Sequence, residues 1–259
     1  MLLFAAFDNS LKVQRYSINS NKIENAVNVV VISDLHSKNF GENQQDLLDI
    51  IAKQNPDAIF LTGDIIDHIF SHSAAETFLQ GIQNICPVYY VTGNHECQSR
   101  DIEAILDTIL KYDVKILSGN YELLNINGNK FVIGGIDDPS KKKYSQDYDQ
   151  ESVMEQAFSD LPSDSYSVLL AHRPEQIENY KQYDFDLVVS GHAHGGQFRI
   201  PYILNGMYAP NQGWFPQYAG GLYKHGDLSH IVSRGLGNNV PIPRIFNPPE
   251  VVVIDIVPC

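Results

Sequence analysis

Residues 188–197 read VVSGHAHGGQ, two histidines one residue apart at the end of an apolar run and followed by a glycine pair. Alternate residues of an extended chain point to the same side, so His192 and His194 aim at one spot just past a strand while Ala193 faces away. That geometry suits two nitrogen ligands of one metal site, although a His-x-His pair also occurs as a plain polar surface feature. Further metal-capable residues end other apolar runs: Asp34 and His36 in SDLH, Asp64 in TGDIID, Asn94 and His95 in TGNHE, and His172 in LLAHRPE. Asp, Asn and Gly terminate strands as turn residues too. A succession this rich in His and carboxylate, and without Cys, is better explained by ligation. Two carboxylates (Asp34, Asp64), one amide (Asn94) and four imidazoles (His36, His172, His192, His194) exceed what one tetrahedral ion uses. They suit two ions about 3.5–4 Å apart that share a bridging carboxylate. Hard oxygens mixed with borderline nitrogens favour Mn, Fe, Zn or Co over Ca or a thiolate-bound metal.

The elements that must position these residues can be read around them. VVVIS before Asp34, AIFLTGD and VYYVTGN read as buried strands, and residues 44–54, 74–85 and 102–112 as amphipathic helices between and after them. Strand and helix in alternation imply parallel βαβ units. In the later half YELLNINGNKFVIGG reads as a hairpin around Asn127-Gly128, SVLLAH and FDLVVSGH as strands, and EVVVIDIV as a closing strand. The expectation is an α/β chain with two sheets face to face and helices outside. The strand-end residues then converge in the crevice beyond the carboxyl ends of the strands. Residues 137–149, acidic and lysine-containing, read as a solvated loop. No internal repeat or linker is visible, so residues 1–259 are expected to form one domain.

Composition narrows the partners. Lys+Arg of 18 against Asp+Glu of 31 gives a formal charge of -13, which argues against gripping nucleic acid or an anionic membrane through a broad basic face. Phosphate groups can still bind where local cations, such as metal ions, overturn the global sign. Cys86, Cys97 and Cys259 have no CxxC spacing, and Cys86 and Cys97 flank what reads as one strand, roughly 35 Å apart at about 3.3 Å per residue. The start, MLLFAAFDNS, lacks a basic n-region, an adequate apolar core and a cleavage site, so neither a signal peptide nor a transmembrane segment is expected here.

D34-x-H36, G63-D64-x-x-D67, G93-N94-H95-E96, the later H172 and G191-H192-x-H194 resemble, in order, the sequence blocks of the calcineurin-like metallophosphoesterases. The resemblance implies a four-layer αββα sandwich and a centre of two divalent transition metal ions (Mn, Fe or Zn). Asp34, His36 and His194 would hold one ion, Asn94, His172 and His192 the other, and Asp64 would bridge them. It also places His95 as the acid that protonates the leaving oxygen, with Asp67 orienting its ring. A water between two such ions is hydroxide near neutral pH and attacks phosphorus in line. SRGLGNNVPIPRIFNPPEVVVIDI and GHAHGGQFRIP resemble a bacterial branch of envelope-associated phosphodiesterases and UDP-diacylglucosamine pyrophosphatases.

The protein phosphatases of this superfamily carry arginines where this chain has His68 after Asp67 and Thr92 before Gly93. A clamp for a dianionic monoester is thus missing, which favours phosphodiesters or pyrophosphates; phosphomonoesterase and non-catalytic scaffold are the alternatives. Arg173 and Arg199 lie beside the motifs as candidate substrate contacts. Gly195 and Gly196 would let backbone approach a phosphate closely. Residues 198–223, with the only Trp, read either as a lid or apolar wall in which Trp214 and Phe215 meet an acyl or other apolar group, or as a long irregular connection whose aromatics pack onto the sheet. The expected substrate is a phosphate ester, lipid- or nucleotide-linked. The expected location is cytoplasmic or peripheral at the membrane.

Overall fold

The computed structural model describes residues 6–67, 69–238 and 242–259; the sequence readings that fall on residues 1–5 and on His68 lie outside them. In chain order the first half places β1 (Lys12–Ser20), β2 (Val27–Ile32), α1 (Gln45–Gln54), β3 (Ala58–Thr62), α2 (Ser73–Ile82), β4 (Val88–Val91), α3 (Asn94–Gln98), α4 (Ile102–Leu110) and β5 (Lys115–Ile116). The second half adds β6 (Asn120–Ile126), β7 (Asn129–Ile136), α5 (Gln150–Phe158), β8 (Tyr166–Ala171), α6 (Ile177–Tyr180), β9 (Leu187–Ser190), β10 (Tyr208–Ala209), β11 (Gly213–Trp214), β12 (Gly221–His225), β13 (Leu228–Val232) and β14 (Glu250–Pro258).

Two six-stranded sheets result, in the orders β1-β14-β2-β3-β4-β5 and β12-β13-β9-β8-β7-β6. Their central pairs β2–β3, β3–β4, β7–β8 and β8–β9 are parallel, so the carboxyl ends within each run lie on one side. The alternation of side chains along β2 explains the layering. Val29 and Val31 enter a cluster with Phe60, Val91, Ile133, Val168 and Val189 from both sheets, while Val30 and Ile32 pack outward with Leu47, Ile51, Phe78 and Ile105 of the helices. On the far side, Val132, Leu169 and Val188 pack with Met154, Phe158 and Ile177 of α5 and α6. Strands buried on both faces read as continuous apolar runs, which is why they were visible in the sequence.

Differences from the sequence reading have local causes. Helix α2 stops at Ile82; Gln83 still bonds back to Leu79 O, and a tighter turn, Ile85 N–H to Ile82 O, leads the chain on to Pro87. Helix α4 ends at Leu110, and Asp113 closes the turn in the left-handed region at φ 57°. Strand β1 has only a short apolar alternation, Tyr16 and Ile18 turned to the core between exposed Arg15, Ser17 and Asn19, because it is an edge strand that pairs in parallel with β14. Helix α5 was missed since it buries only Met154 and Phe158. Residues 137–149 are not simply solvated: Asp137, Asp138 and Tyr148 are buried, and Pro139–Lys143 form a short 3-10 turn whose start is capped by the Asp138 side chain on the Ser140 amide. Cys86 and Cys97 are not joined by one strand either, because the chain turns into α3 after Val91; all three cysteines are free. Among the described residues no helix is long and apolar enough to cross a membrane.

Candidate metal centre

The site begins where strands stop. Asp34 (φ 52°), His36 (φ 49°), Asp64 (φ 54°), His192 (φ 66°) and His194 (φ 47°) all take the left-handed backbone conformation that non-glycine residues rarely adopt. Such strain persists only when surrounding structure enforces it. Here neighbouring strand ends do so: the Asp34 amide donates to Gly63 O (3.0 Å), the His36 amide to Asp64 O (2.9 Å) and the Gly191 amide to His172 O (3.1 Å). Two glycines make room for the carboxylates. A Cβ on Gly93 would sit 2.2 Å from Asp64 Oδ1, and one on Gly191 would sit 1.8 Å from Ser33 Oγ and 2.6 Å from Asp34 Oδ2.

The donor atoms of Asp34, His36 and His194 lie within 4.8 Å of one another, as do those of Asp64, His172 and His192. Asn94 Oδ1 joins the second group, 3.3 Å from His172 Nε2. Asp64 Oδ2 lies between the groups, 3.3 Å from His172 Nε2 and 3.8 Å from His36 Nε2. Within the first group the two imidazole nitrogens face each other, His36 Nε2 and His194 Nε2 being 3.3 Å apart. Each ring is oriented from behind. Asp67 holds His36 Nδ1 at 2.9 Å and Thr62 O holds His172 Nδ1 at 2.7 Å, which turns both Nε2 atoms toward the centre. Burial, and then the charge of His172 and Arg173, pushes His192 down to about 3, and burial with His36 and Arg244 holds His194 well below the ordinary imidazole value. Both are therefore neutral, the form that ligates metal. His172 is pulled the other way, up to about 10, because Asp64 outweighs the burial that opposes its charge. Buried nitrogen and oxygen donors in this arrangement fit a divalent cation in each group.

His95 reaches the same place from the start of α3. Its Nδ1 lies 3.0 Å from Asp67 Oδ2, the oxygen that also holds His36. Burial opposes charging of His95, yet the Asp67 hydrogen bond and the Asp64 charge outweigh it and raise its pKa. Glu96, named in the sequence only as part of a block, organises the loop: it accepts from the amides of Asp64 (2.9 Å), Ile65 (2.7 Å), Ile66 (3.0 Å) and Gly93 (2.9 Å). Its position three residues after a glycine at a helix start was the available signal.

A cavity of about 450 Å³ opens over these groups, lined by Asp64, Asn94, His95, Arg173, His192 and Asn211 among others. Arg173 is in place but committed: its Nε donates to Asp138 Oδ2 (2.5 Å), its Nη2 to Asp138 Oδ1 (3.1 Å), and its Nη1 to Asn211 Oδ1. Asn211 Oδ1 also lies 2.9 Å from His192 Nε2. Neither Asp138 nor Asn211 was read from the sequence; Asp138 belongs to a polar stretch with no period, and Asn211 to an aromatic, Pro- and Gly-rich one. Arg199 is elsewhere, donating to Asn205, and does not line the cavity. Trp214 stands 68% exposed on the β10–β11 ribbon, edge-on to Tyr208, and only the ribbon's turn, Pro210 and Asn211, reaches the cavity. The close approaches at Gly195 and Gly196 are to the Asn247 side chain and the Gly206 backbone rather than to open space.

The profile of the calcineurin-like phosphoesterases matches residues 27–196. A metallophosphoesterase of Campylobacter jejuni is 30% identical over 98% of this chain and 66% of its own length. One of Aquifex aeolicus is 29% identical over 95% of this chain and 92% of its own. One of Helicobacter pylori is 29% identical over 95% of this chain; the chain thus spans just under two thirds of the Campylobacter relative and 64% of the Helicobacter one. Among solved structures, the fold is shared with a sulfate thiohydrolase of Thermus thermophilus (TM-score 0.58, 12% identity, 91% of this chain and 57% of that one). It is shared also with a phosphopantetheinyl hydrolase of Mycobacterium tuberculosis (TM-score 0.52, 11% identity, 80% of this chain and 89% of that one). By its profile match and its relatives, the chain belongs to the calcineurin-like phosphoesterases, a family of metal-dependent phosphoester hydrolases.

Proposed function

We propose that this chain is a dinuclear metal-dependent phosphohydrolase that cleaves phosphodiester or pyrophosphate bonds, with His95 as general acid. Asp34, His36 and His194 would hold one ion, Asn94, His172 and His192 the other, with Asp64 between them. The observation that carries the reading is the placement of Asp64 Oδ2, 3.3 Å from His172 Nε2 and 3.8 Å from His36 Nε2, where one carboxylate reaches both donor groups. When bound, two divalent ions, manganese among the candidates, supply an acidified water and electrophilic pull on the phosphoryl oxygens. The protein's own residues do the rest. Asp67 fixes the His95 ring through Nδ1, so transfer of a proton to the leaving oxygen falls to Nε2. Such donation contributes about 10²–10⁴ in rate.

Arg173 supports the diester or pyrophosphate reading. Asp138 and Asn211 already occupy its guanidinium, so it brings little uncommitted charge for a dianionic monoester. Exposed Tyr202, Ile203, Trp214 and Phe215 on the segment that carries Asn211 favour a substrate with an apolar or aromatic part, lipid- or nucleotide-linked. The test is metal analysis of the full chain together with turnover of bis(p-nitrophenyl) phosphate against p-nitrophenyl phosphate under added Mn²⁺. The expected result is two metals per chain, a preference for the bis ester, and His95→Asn with full metal content but lowered turnover. Absence of stoichiometric metal, or a preference for the monoester, overturns the respective part of the proposal.

A further inference from the structure

One ring of the centre is held by the opposite nitrogen from its neighbours. Asp67 and the Thr62 carbonyl take Nδ1 of His36 and His172, whereas at His192 it is Nε2 that is occupied. Asn211 Oδ1 lies 2.9 Å from that nitrogen and Arg173 Nη1 3.1 Å from it, and the same Asn211 oxygen accepts from Arg173 Nη1. The arginine decides how this triangle is wired. A guanidinium has only hydrogens to offer, so the Asn211 atom facing it is the amide oxygen and not the amide nitrogen. An oxygen 2.9 Å from an imidazole nitrogen needs a hydrogen between them, and only the ring can supply it. Nε2 of His192 therefore carries the hydrogen and Nδ1 is bare.

Neither Arg173 nor Asn211 is loosely placed. Asp138 takes Nε (2.5 Å) and Nη2 (3.1 Å) of Arg173, and Ser140 Oγ takes Nη2 as well (3.1 Å). Asn211 stands exposed at the turn of the β10–β11 ribbon, outside both main sheets, at φ 61°, a backbone conformation that asparagine adopts more readily than most residues. The ribbon is seated on the loop that carries His194: the Met207 amide donates to Gly196 O (3.0 Å), and a Cβ on Gly196 would come within 2.4 Å of Gly206 Cα.

From this geometry we propose that Asn211 is a positioning residue of the second cation group: it accepts the Nε2 hydrogen of His192, with Arg173 holding its oxygen in place, and so keeps Nδ1 as the nitrogen available to a metal ion. A hydrogen bond of this kind behind a ligating imidazole fixes its tautomer and ring orientation, and its loss costs about 10–100-fold in metal affinity. The inference rests on the dinuclear reading for its ion and goes beyond it, since the second ion's site then depends on a ribbon that supplies no ligand. In the competing arrangement Nε2 accepts from Arg173 and the hydrogen sits on Nδ1. That would set two acceptors 2.9 Å apart and leave His192 no bare nitrogen for an ion.

Two readouts on the full chain test it. The first is the His192 ring tautomer in chelator-treated, ¹⁵N-labelled protein near pH 7.5, from long-range ¹H–¹⁵N correlation, with the ring assigned by its loss in His192→Gln. Wild type is expected to show a protonated Nε2 and a bare Nδ1; a protonated Nδ1 overturns the proposal. The second is calorimetric titration with Zn²⁺ of wild type, Asn211→Gly and Asn211→Asp. Glycine removes the acceptor at an exposed position and takes φ 61° without strain, and aspartate keeps an acceptor there. Asn211→Gly should weaken one of two ions about 10–100-fold and leave the other in place, while Asn211→Asp binds both at least as tightly as wild type. Equal binding by Asn211→Gly and wild type, or an equal loss in Asn211→Asp, overturns the proposal. Wild type that takes up no Zn²⁺ would instead refute the dinuclear reading, and the tautomer of the metal-free ring would still decide what Asn211 does.

Discussion

Asp67→Asn separates positioning from chemistry at this centre. Asp67 is fully buried, and its Oδ2 meets both His36 Nδ1 at 2.9 Å and His95 Nδ1 at 3.0 Å. Burial works against its charge, but those two imidazoles hold the carboxyl well below the usual carboxylate range, so it is an anion at working pH. The amide keeps the shape and removes the charge. One opposite charge at this separation shifts a pKa by about 1–3 units, or roughly 1.4–4 kcal/mol. The rise in His95 is what remains after burial has been overcome by Asp67 first and Asp64 next; without Asp67 its pKa is expected to fall below the ordinary 6.5. The acid must keep its proton, so the descending limb of the kcat/KM profile moves to lower pH by about 1–3 units. Above that limb, an alkyl leaving group should lose about 10²–10⁴ in rate while p-nitrophenolate, which needs little protonation, loses far less. The assay is a pH series on both ester types, with metal content measured at each pH because His36 shares the carboxylate. If the limb stays in place in a fully metallated variant, or both ester types lose rate equally, Asp67 does not tune an acid and the assignment of His95 fails.

Two further outcomes follow from the charge pattern. His172 stands at about 10 in the metal-free protein, raised by Asp64 against burial, so it is an imidazolium through neutral pH and must lose that proton to ligate. Metal uptake should therefore release a proton, and apparent affinity should rise about tenfold per unit between about pH 7 and 9; calorimetry in buffers of different ionisation enthalpy measures this, and no proton release would contradict it. His230, fully buried 3.3 Å from Ser190 Oγ, is held down at about 3 by burial and then by His225. With its folded value below the unfolded 6.5, its contribution is present above pH 6.5 and lost as pH falls toward 3, about 2 kcal/mol by pH 5. Urea denaturation of wild type and His230→Gln at pH 7.5 and pH 5 checks it: the variant should lose less stability on acidification, and an equal loss would refute the burial argument.

Much of this protein was legible because its chemistry is local in sequence. Strands buried on both faces must be apolar throughout, so β2, β3, β4, β8 and β9 announced themselves, and the ligand-bearing residues follow them within a few positions. Asn127 and Gly128, at φ 53° and 87°, are residue types that accept the turn their hairpin requires. What the sequence could not disclose depends on partners brought together only by folding. Asp138 and Arg173 are separated by a helix and a strand, and neither stretch is periodic. Asn211 enters the cavity from the tip of a short ribbon whose aromatic residues drew attention outward to Trp214. Arg244 stands in a short stretch with no period, and only folding buries its guanidinium against Gly237 O and His194 Nδ1. Residue type and spacing therefore determined which atoms could ligate, since ligation is a property of side chains. Tertiary structure decided which charged groups face one another, since charge compensation depends on the distance between them and on the dielectric around them.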